Sequence, residues 1–235
     1  MPAAAVTAVL AHSPFLGPAS LRPLADALAA LGHPTVLLDL LPSVAAAPVH
    51  QRLIGAFADA LSDAALTGPI AIVGHSGAGP LLPAFAEELE DDVRALVYLD
   101  AGLPTPGRSW RDTATAAEYA DLRDRSRDGI LPHWPQWSPT DPLAAVTDPA
   151  LRAEITDEAP EVPLAYLKEP HPTVEWTGPT GYVRLSADHA ADADTARANG
   201  WPVRAADLHH LAAATHPEPV ARLVLAVLLE LLSGD

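Results

Sequence analysis

Two hydrophobic periods alternate along the chain. Short runs at Ala4–Ala11, Thr35–Leu40, Ile70–Val73 and Arg94–Leu99 are dominated by Val, Ile, Leu and Ala, which predicts strands buried on both faces. Between them, Ser20–Leu31, Leu53–Leu66 and Leu81–Leu89 place apolar residues at helical spacing. The first of these stops at Gly32 and the second at Gly68-Pro69, as helix ends do. The alternation predicts an α/β protein with a mostly parallel, doubly wound sheet.

The pattern breaks after Leu103. From Pro104 to Pro179 no strand is predicted; a helix is expected over Thr113–Arg127, and shorter ones near Pro142–Val146 and Pro149–Asp157. Strands resume at Gly181–Ser186 and Val203–Ala206, with a helix at Asp192–Asn199 between them and a final helix over Val220–Leu232. The expected organisation is a core of about six strands, residues 1–103 and 181–235, interrupted by an insertion of residues 104–180. Long insertions at the carboxyl edge of such a sheet commonly act as lids or caps.

Composition sharpens this division. Twelve of the 25 prolines and four of the five tryptophans lie in the insertion. The Ala/Leu/Val-rich remainder therefore reads as the scaffold. The formal charge of −16 is spread over both parts and argues against nucleic acid or an anionic membrane as partner. Zero cysteines exclude disulfides and thiolate chemistry. The amino terminus lacks a basic segment ahead of its apolar run, and no run is long enough to span a bilayer. A cytoplasmic monomer or homodimer acting on a small molecule is expected.

The sharpest local signal is Gly74-His75-Ser76-Gly77-Ala78-Gly79, between a predicted strand and a predicted helix. A serine on such a turn is held in a strained conformation that projects its hydroxyl at the sheet's carboxyl edge, and small neighbours avoid clashes. The Gly77 amide is aimed at the same point, where it can stabilise an oxyanion. A nucleophilic serine needs a base, and His209 and His210 follow the last predicted strand, ahead of a final helix beginning near Pro217. The base needs an orienting carboxylate. Asp100 and Asp188 each follow a strand at the same sheet edge, so both can reach it.

The order of these elements and residues resembles the α/β-hydrolase superfamily over almost the whole chain. The compact group of plant hydroxynitrile lyases and methylesterases looks closest, on His12-Ser13-Pro14-Phe15-Leu16-Gly17, Leu31-Gly32-His33, Leu38-Asp39-Leu40 and Val97-Tyr98-Leu99-Asp100-Ala101-Gly102-Leu103-Pro104. The resemblance implies His210 rather than His209 as base, from its spacing to Pro217 and the apolar Leu211 behind it. It implies Asp188 as acid, because in that group the acid follows the later strand; haloalkane dehalogenases in the same superfamily can carry an acid at the position of Asp100. One departure stands out. The second oxyanion amide should come from the position of Pro14, which has no N–H. Phe15 N–H or the Ser13 hydroxyl is expected to replace it, or the chemistry builds no full oxyanion.

His12, Pro14 and His75 flank the expected site, although such histidines commonly pack beneath the sheet edge. Trp110, Trp134, Trp137 and Trp176 are expected to line an apolar pocket. No metal is expected, because Asp188, His189, Asp192 and Asp194 match no ligand spacing. No cofactor is expected either, since the glycine-rich turn lacks P-loop and dinucleotide patterns. The reading that follows is a Ser–His–Asp hydrolase of a small to medium apolar ester, thioester or lactone. A lyase or cyclase using the same residues, or a ligand-binding protein on this scaffold, is the alternative.

Overall fold

The computed structural model describes residues 6–64, 66, 68–89 and 93–233. Six strands form one parallel sheet: β1 (Thr7–Ala11), β2 (Thr35–Leu37), β3 (Ile70–His75), β4 (Val93–Leu99), β7 (Thr180–Arg184) and β8 (Val203–Ala205), in the order β2-β1-β3-β4-β7-β8. Across its centre Val9 lies opposite Ile72, Ile72 opposite Leu96, and Tyr98 opposite Tyr182, with a register shift between β3 and β4 at Ile70/Ala71.

Alternate residues of these strands feed two cores. Val9, Ile72, Leu96 and Tyr98 face α2 (Val49–Asp63), α3 (Leu82–Glu87) and α7 (Ala190–Ala198). Ala8, Leu10, Val73 and Val97 face α1 (Arg22–Ala30), the short α8 (Ala212–Thr215) and α9 (Pro217–Leu232). A period of two with both faces covered explains why the strands are apolar throughout. Each fully buried Val, Leu or Ile here stabilises the fold by about 1.5–3 kcal/mol in transfer free energy.

Several expected bounds move for identifiable reasons. The predicted strand Thr35–Leu40 ends at Leu37, and the Leu40 N–H instead donates to His12 Nε2 (3.0 Å). The helix expected from Leu53 begins at Val49, where Glu169 accepts the Val49 and His50 amides (2.7 and 2.8 Å). That cap comes from 120 residues away and leaves no local signature. The first predicted strand began at Ala4; Ala4 and Ala5 lie outside the described residues.

The segment between β4 and β7 also departs from expectation. The helix expected over Thr113–Arg127 shortens to α5 (Ala116–Arg125), and an unexpected turn of helix, α4 (Trp110–Thr113), precedes it. Each has its own capping box, Ser109 with Asp112 for α4 and Thr115 with Glu118 for α5. The region around 142–146 is turn rather than helix, with Asp141 accepting the Leu143 amide. A strand pair that the sequence did not predict, β5 (Ile130–Leu131) with β6 (Val162–Pro163), runs antiparallel. The helix α6 (Pro149–Glu158) docks on the loop after β1: Glu158 accepts the Ala19 amide (2.6 Å) and pairs with Arg22 (3.0 Å). Leu16, Leu143, Ile155 and Leu211 close a small apolar core beneath it.

Candidate active site

The site is assembled at the carboxyl ends of β1, β3, β4 and β7 and the loop after β8. At the end of β3 the chain turns sharply into a short 3-10 helix, Ser76–Leu81, and Ser76 takes φ of 56°. A left-handed serine costs roughly 1–3 kcal/mol and persists only where its surroundings enforce it. They do so by close packing: a Cβ on Gly74 would lie 2.6 Å from Leu82 Cδ2, and one on Gly79 would lie 2.3 Å from the Gly102 carbonyl oxygen. The two turns, after β3 and after β4, are thereby pressed together.

Asp100 follows directly on β4, also at positive φ (44°), and is fully buried. Its Oδ1 accepts the Leu185 and Ser186 amides (2.7 and 2.9 Å) and its Oδ2 accepts the Ser186 hydroxyl (2.7 Å) and His210 Nδ1–H (2.8 Å). Burial alone would push this carboxyl up. The His210 hydrogen bond and charge, with the Ser186 and Leu185 amides, outweigh burial and hold it below the usual carboxylate range. Because an ionised carboxylate only accepts, His210 carries its proton on Nδ1. Its Nε2 lone pair then faces the Ser76 hydroxyl at 2.9 Å. Serine, imidazole and carboxylate form one directed line.

Of the two carboxylates the sequence offered, Asp188 first, the structure brings Asp100 to His210. Asp188 is exposed, four residues past the end of β7, whereas the amides that follow β7 are turned onto Asp100. His209 also points away, toward Thr215 Oγ1 (2.9 Å) and the His216 ring.

Two further histidines brace His210. His75 stacks beneath it (ring centroids 4.7 Å apart), and its Nε2–H donates to the His210 carbonyl (3.0 Å). His75 is fully buried with Nδ1 unpartnered, and burial followed by repulsion from His210 pushes it down to about 3. It stays neutral. On another side His189 stacks at 5.3 Å, held by Asp192 (2.9 Å). Burial opposes its charge, but the Asp192 hydrogen bond and the nearby carboxylates raise it overall. One atom each of Asp100, His189 and His210 lies within 4.8 Å of the others. A metal bound there would have to displace the hydrogen bond between Asp100 and His210.

Ser76 and Gly77 open into a cavity of about 420 Å³ walled by Phe15, Trp110, Trp134 and Trp137, among others. The expected pocket residues His12, Pro14, His75 and Trp176 are not on its wall. His12 is buried and ties two loops, its Nδ1–H donating to the Ser13 carbonyl (2.9 Å) while Nε2 accepts from Leu40. Pro14 packs behind Gly77, and Trp176 covers Gly178 beside a separate groove. The wall instead includes His50, Tyr166, Glu169, His171, His189 and Asp192. Of these, only His189 and Asp192 had drawn notice in the sequence, as a metal motif to be set aside.

Beside Gly77, where Pro14 offers no amide N–H, stands the Ser13 hydroxyl. The Phe15 N–H donates to Ser13 Oγ (3.3 Å) and is occupied. Ser13 Oγ would lie 3.1 Å from a Cβ on Gly77, so a hydroxyl sits against the turn that carries Ser76.

No family model and no curated protein matches the chain. Solved structures do. An extracellular α/β-hydrolase from a Paenibacillus species, described as sharing structural and functional homology with tobacco salicylic acid binding protein 2, superposes with a TM-score of 0.75 at 19% identity, over 94% of this chain and 98% of that one. A pyrethroid hydrolase gives 0.70 at 17% identity, over 98% and 99%. Tomato methylketone synthase I, solved with β-ketoheptanoate, gives 0.70 at 15% identity, over 98% and 99%. Likeness of this degree, running the length of both chains, speaks to architecture: the chain adopts the α/β-hydrolase fold.

Proposed function

We propose that the protein is a serine hydrolase that cleaves an ester, thioester or lactone of a small to medium, largely apolar molecule. The observation that carries this reading is the unbroken hydrogen-bonded line from Ser76 through His210 to Asp100, opening into an aromatic-walled cavity. Ser76 attacks the carbonyl carbon while His210 Nε2 takes its proton. Asp100 holds the ring and stabilises the imidazolium that results. His210 then returns the proton to the leaving group, and water activated by the same ring releases the acid.

The oxyanion is held by the Gly77 amide and, in this reading, by the Ser13 hydroxyl. Because the Phe15 N–H donates into Ser13 Oγ, the hydroxyl proton remains available, and the incoming bond polarises it. The segment between β4 and β7 acts as the cap, contributing Trp110, Trp134 and Trp137 to the cavity wall. Bulk water is thereby kept from the charged intermediate.

Hydrolysis of short p-nitrophenyl esters by the wild type, lost in Ser76→Ala, tests the reading. Pro14 supports a second one, in which the same line drives a lyase or cyclase reaction that builds no full oxyanion. That reading predicts an activated Ser76 without ester turnover.

A further inference from the structure

The cavity holds a second polar cluster that the proposed chemistry leaves unused. His50, at the start of α2, and His171, ahead of β7, bring their rings to 5.8 Å between centroids. Neither hydrogen-bonds to Ser76, His210 or Asp100. Their remaining bonds define which nitrogen carries the proton. His50 Nδ1 lies 3.1 Å from the Pro170 carbonyl, which only accepts, so Nδ1 is protonated and Nε2 bears a lone pair. His171 Nδ1 receives the Thr105 N–H at 3.2 Å and lies 2.8 Å from the Thr105 hydroxyl, which can rotate to donate as well. A nitrogen that accepts an amide N–H carries no proton, so the proton is on Nε2. Burial pushes both histidines down, His171 to about 4 with help from His50, and both are neutral at pH 7.

Neither Nε2 has a hydrogen-bond partner among the described residues, and neither is sealed. The one side-chain nitrogen or oxygen there that is both sealed and unpartnered is His75 Nδ1. Because both rings line the cavity, the free donor of His171 and the free acceptor of His50 are open to its contents. An unmet pair of this kind costs free energy unless water or a ligand satisfies it. The charge of the wall narrows the choice. Among the described residues no Lys or Arg lines the cavity, and Glu169 and Asp192 do. An anion therefore meets no opposite charge and faces two carboxylates. Glu169 already accepts both α2 amides and Asp192 is paired with His189, so an ammonium would compete with bonds already made.

We propose that His50 and His171 form a recognition subsite for an uncharged hydroxyl carried by the substrate, which accepts from His171 and donates to His50. The proposal rests on the hydrolase reading for its substrate, and it adds a polar end to an otherwise apolar molecule.

Matched esters test it. Two series of increasing chain length, p-nitrophenyl acyl esters and alkyl acetates, are compared with methyl, hydroxyl, carboxylate and ammonium termini. At the length that spans the cavity, the hydroxyl terminus should raise kcat/KM about tenfold over methyl and exceed both charged ends. In His171→Phe and His50→Leu that ratio should fall to about one. A second readout is independent of turnover: in Ser76→Ala, quenching of tryptophan fluorescence should report tighter binding of the hydroxyl-terminated ester. If no ester turns over but this binding preference holds, the hydrolase reading fails and the subsite stands. Methyl preferred or equal at every length in both series and in the binding titration would overturn the subsite. So would a charged terminus preferred, or a hydroxyl preference unchanged in both variants.

Discussion

His210 Nδ1 lies 2.8 Å from Asp100 Oδ2, joining the loop after β8 to the end of β4 across 110 residues of sequence. The same carboxylate collects the first two amides beyond β7 and the Ser186 hydroxyl. It therefore orients the His210 ring and ties three strand ends together. Replacing Asp100 by Asn should lower kcat of ester hydrolysis by about 10⁴-fold, because the amide no longer enforces the Nδ1–H tautomer. Asp188→Asn should leave kcat within about twofold, since Asp188 is exposed. Steady-state kinetics on both variants checks the assignment.

The oxyanion arrangement predicts a second kinetic result. Ser13→Ala should reduce kcat by about 100-fold or more with little change in KM, the signature of a donor used in the transition state. Ser13→Thr keeps the hydroxyl and should recover part of the loss. A Ser13→Ala enzyme with unchanged kcat would move the second donor elsewhere.

Burial of neutral histidine sets the response of stability to pH. In the unfolded chain His75 binds a proton near pH 6.5, but in the folded chain only near pH 3. Below pH 6.5 the unfolded state therefore holds more protons, and stability falls as pH is lowered through that interval. From pH 6.5 to 5 this one residue should cost about 2 kcal/mol, and buried His12 shifts in the same direction. Urea unfolding at several pH values should show the decline, and His75→Gln should flatten it.

Glu169 predicts a purely structural effect. Its two oxygens cap α2 from the distant segment ahead of β7. Glu169→Ala should lower stability by about 1–3 kcal/mol, the cost of leaving two largely buried amides without their partner. Glu169→Gln keeps one acceptor and should lose less. Denaturant midpoints distinguish the two.

How much of this could be read from the chain follows from the range of each interaction. Ser76 and its turn were legible because strand, small residues and helix are contiguous in sequence, and His210 because it sits between the last strand and the final helix. The choice of acid was not. Asp100 and Asp188 both follow strands at one edge, and what separates them is a backbone turn at Asp100 that buries its carboxylate and the direction of two amides just past β7. His50, Glu169 and His171 left still less trace. They meet only when α2 packs against a segment 120 residues away, and no local period marks them. The aromatic wall was partly legible: Trp110, Trp134 and Trp137 line the cavity, while Trp176 sits over Gly178 instead, a difference set by packing that composition does not encode.

The central claim is that Ser76 is activated by His210, and a fluorophosphonate probe with intact-mass analysis tests it most directly. The account predicts one adduct on the wild-type protein, none on Ser76→Ala, and labelling slowed by orders of magnitude in His210→Ala. Folded wild-type protein that takes up no probe, or an adduct that persists in Ser76→Ala, would contradict it.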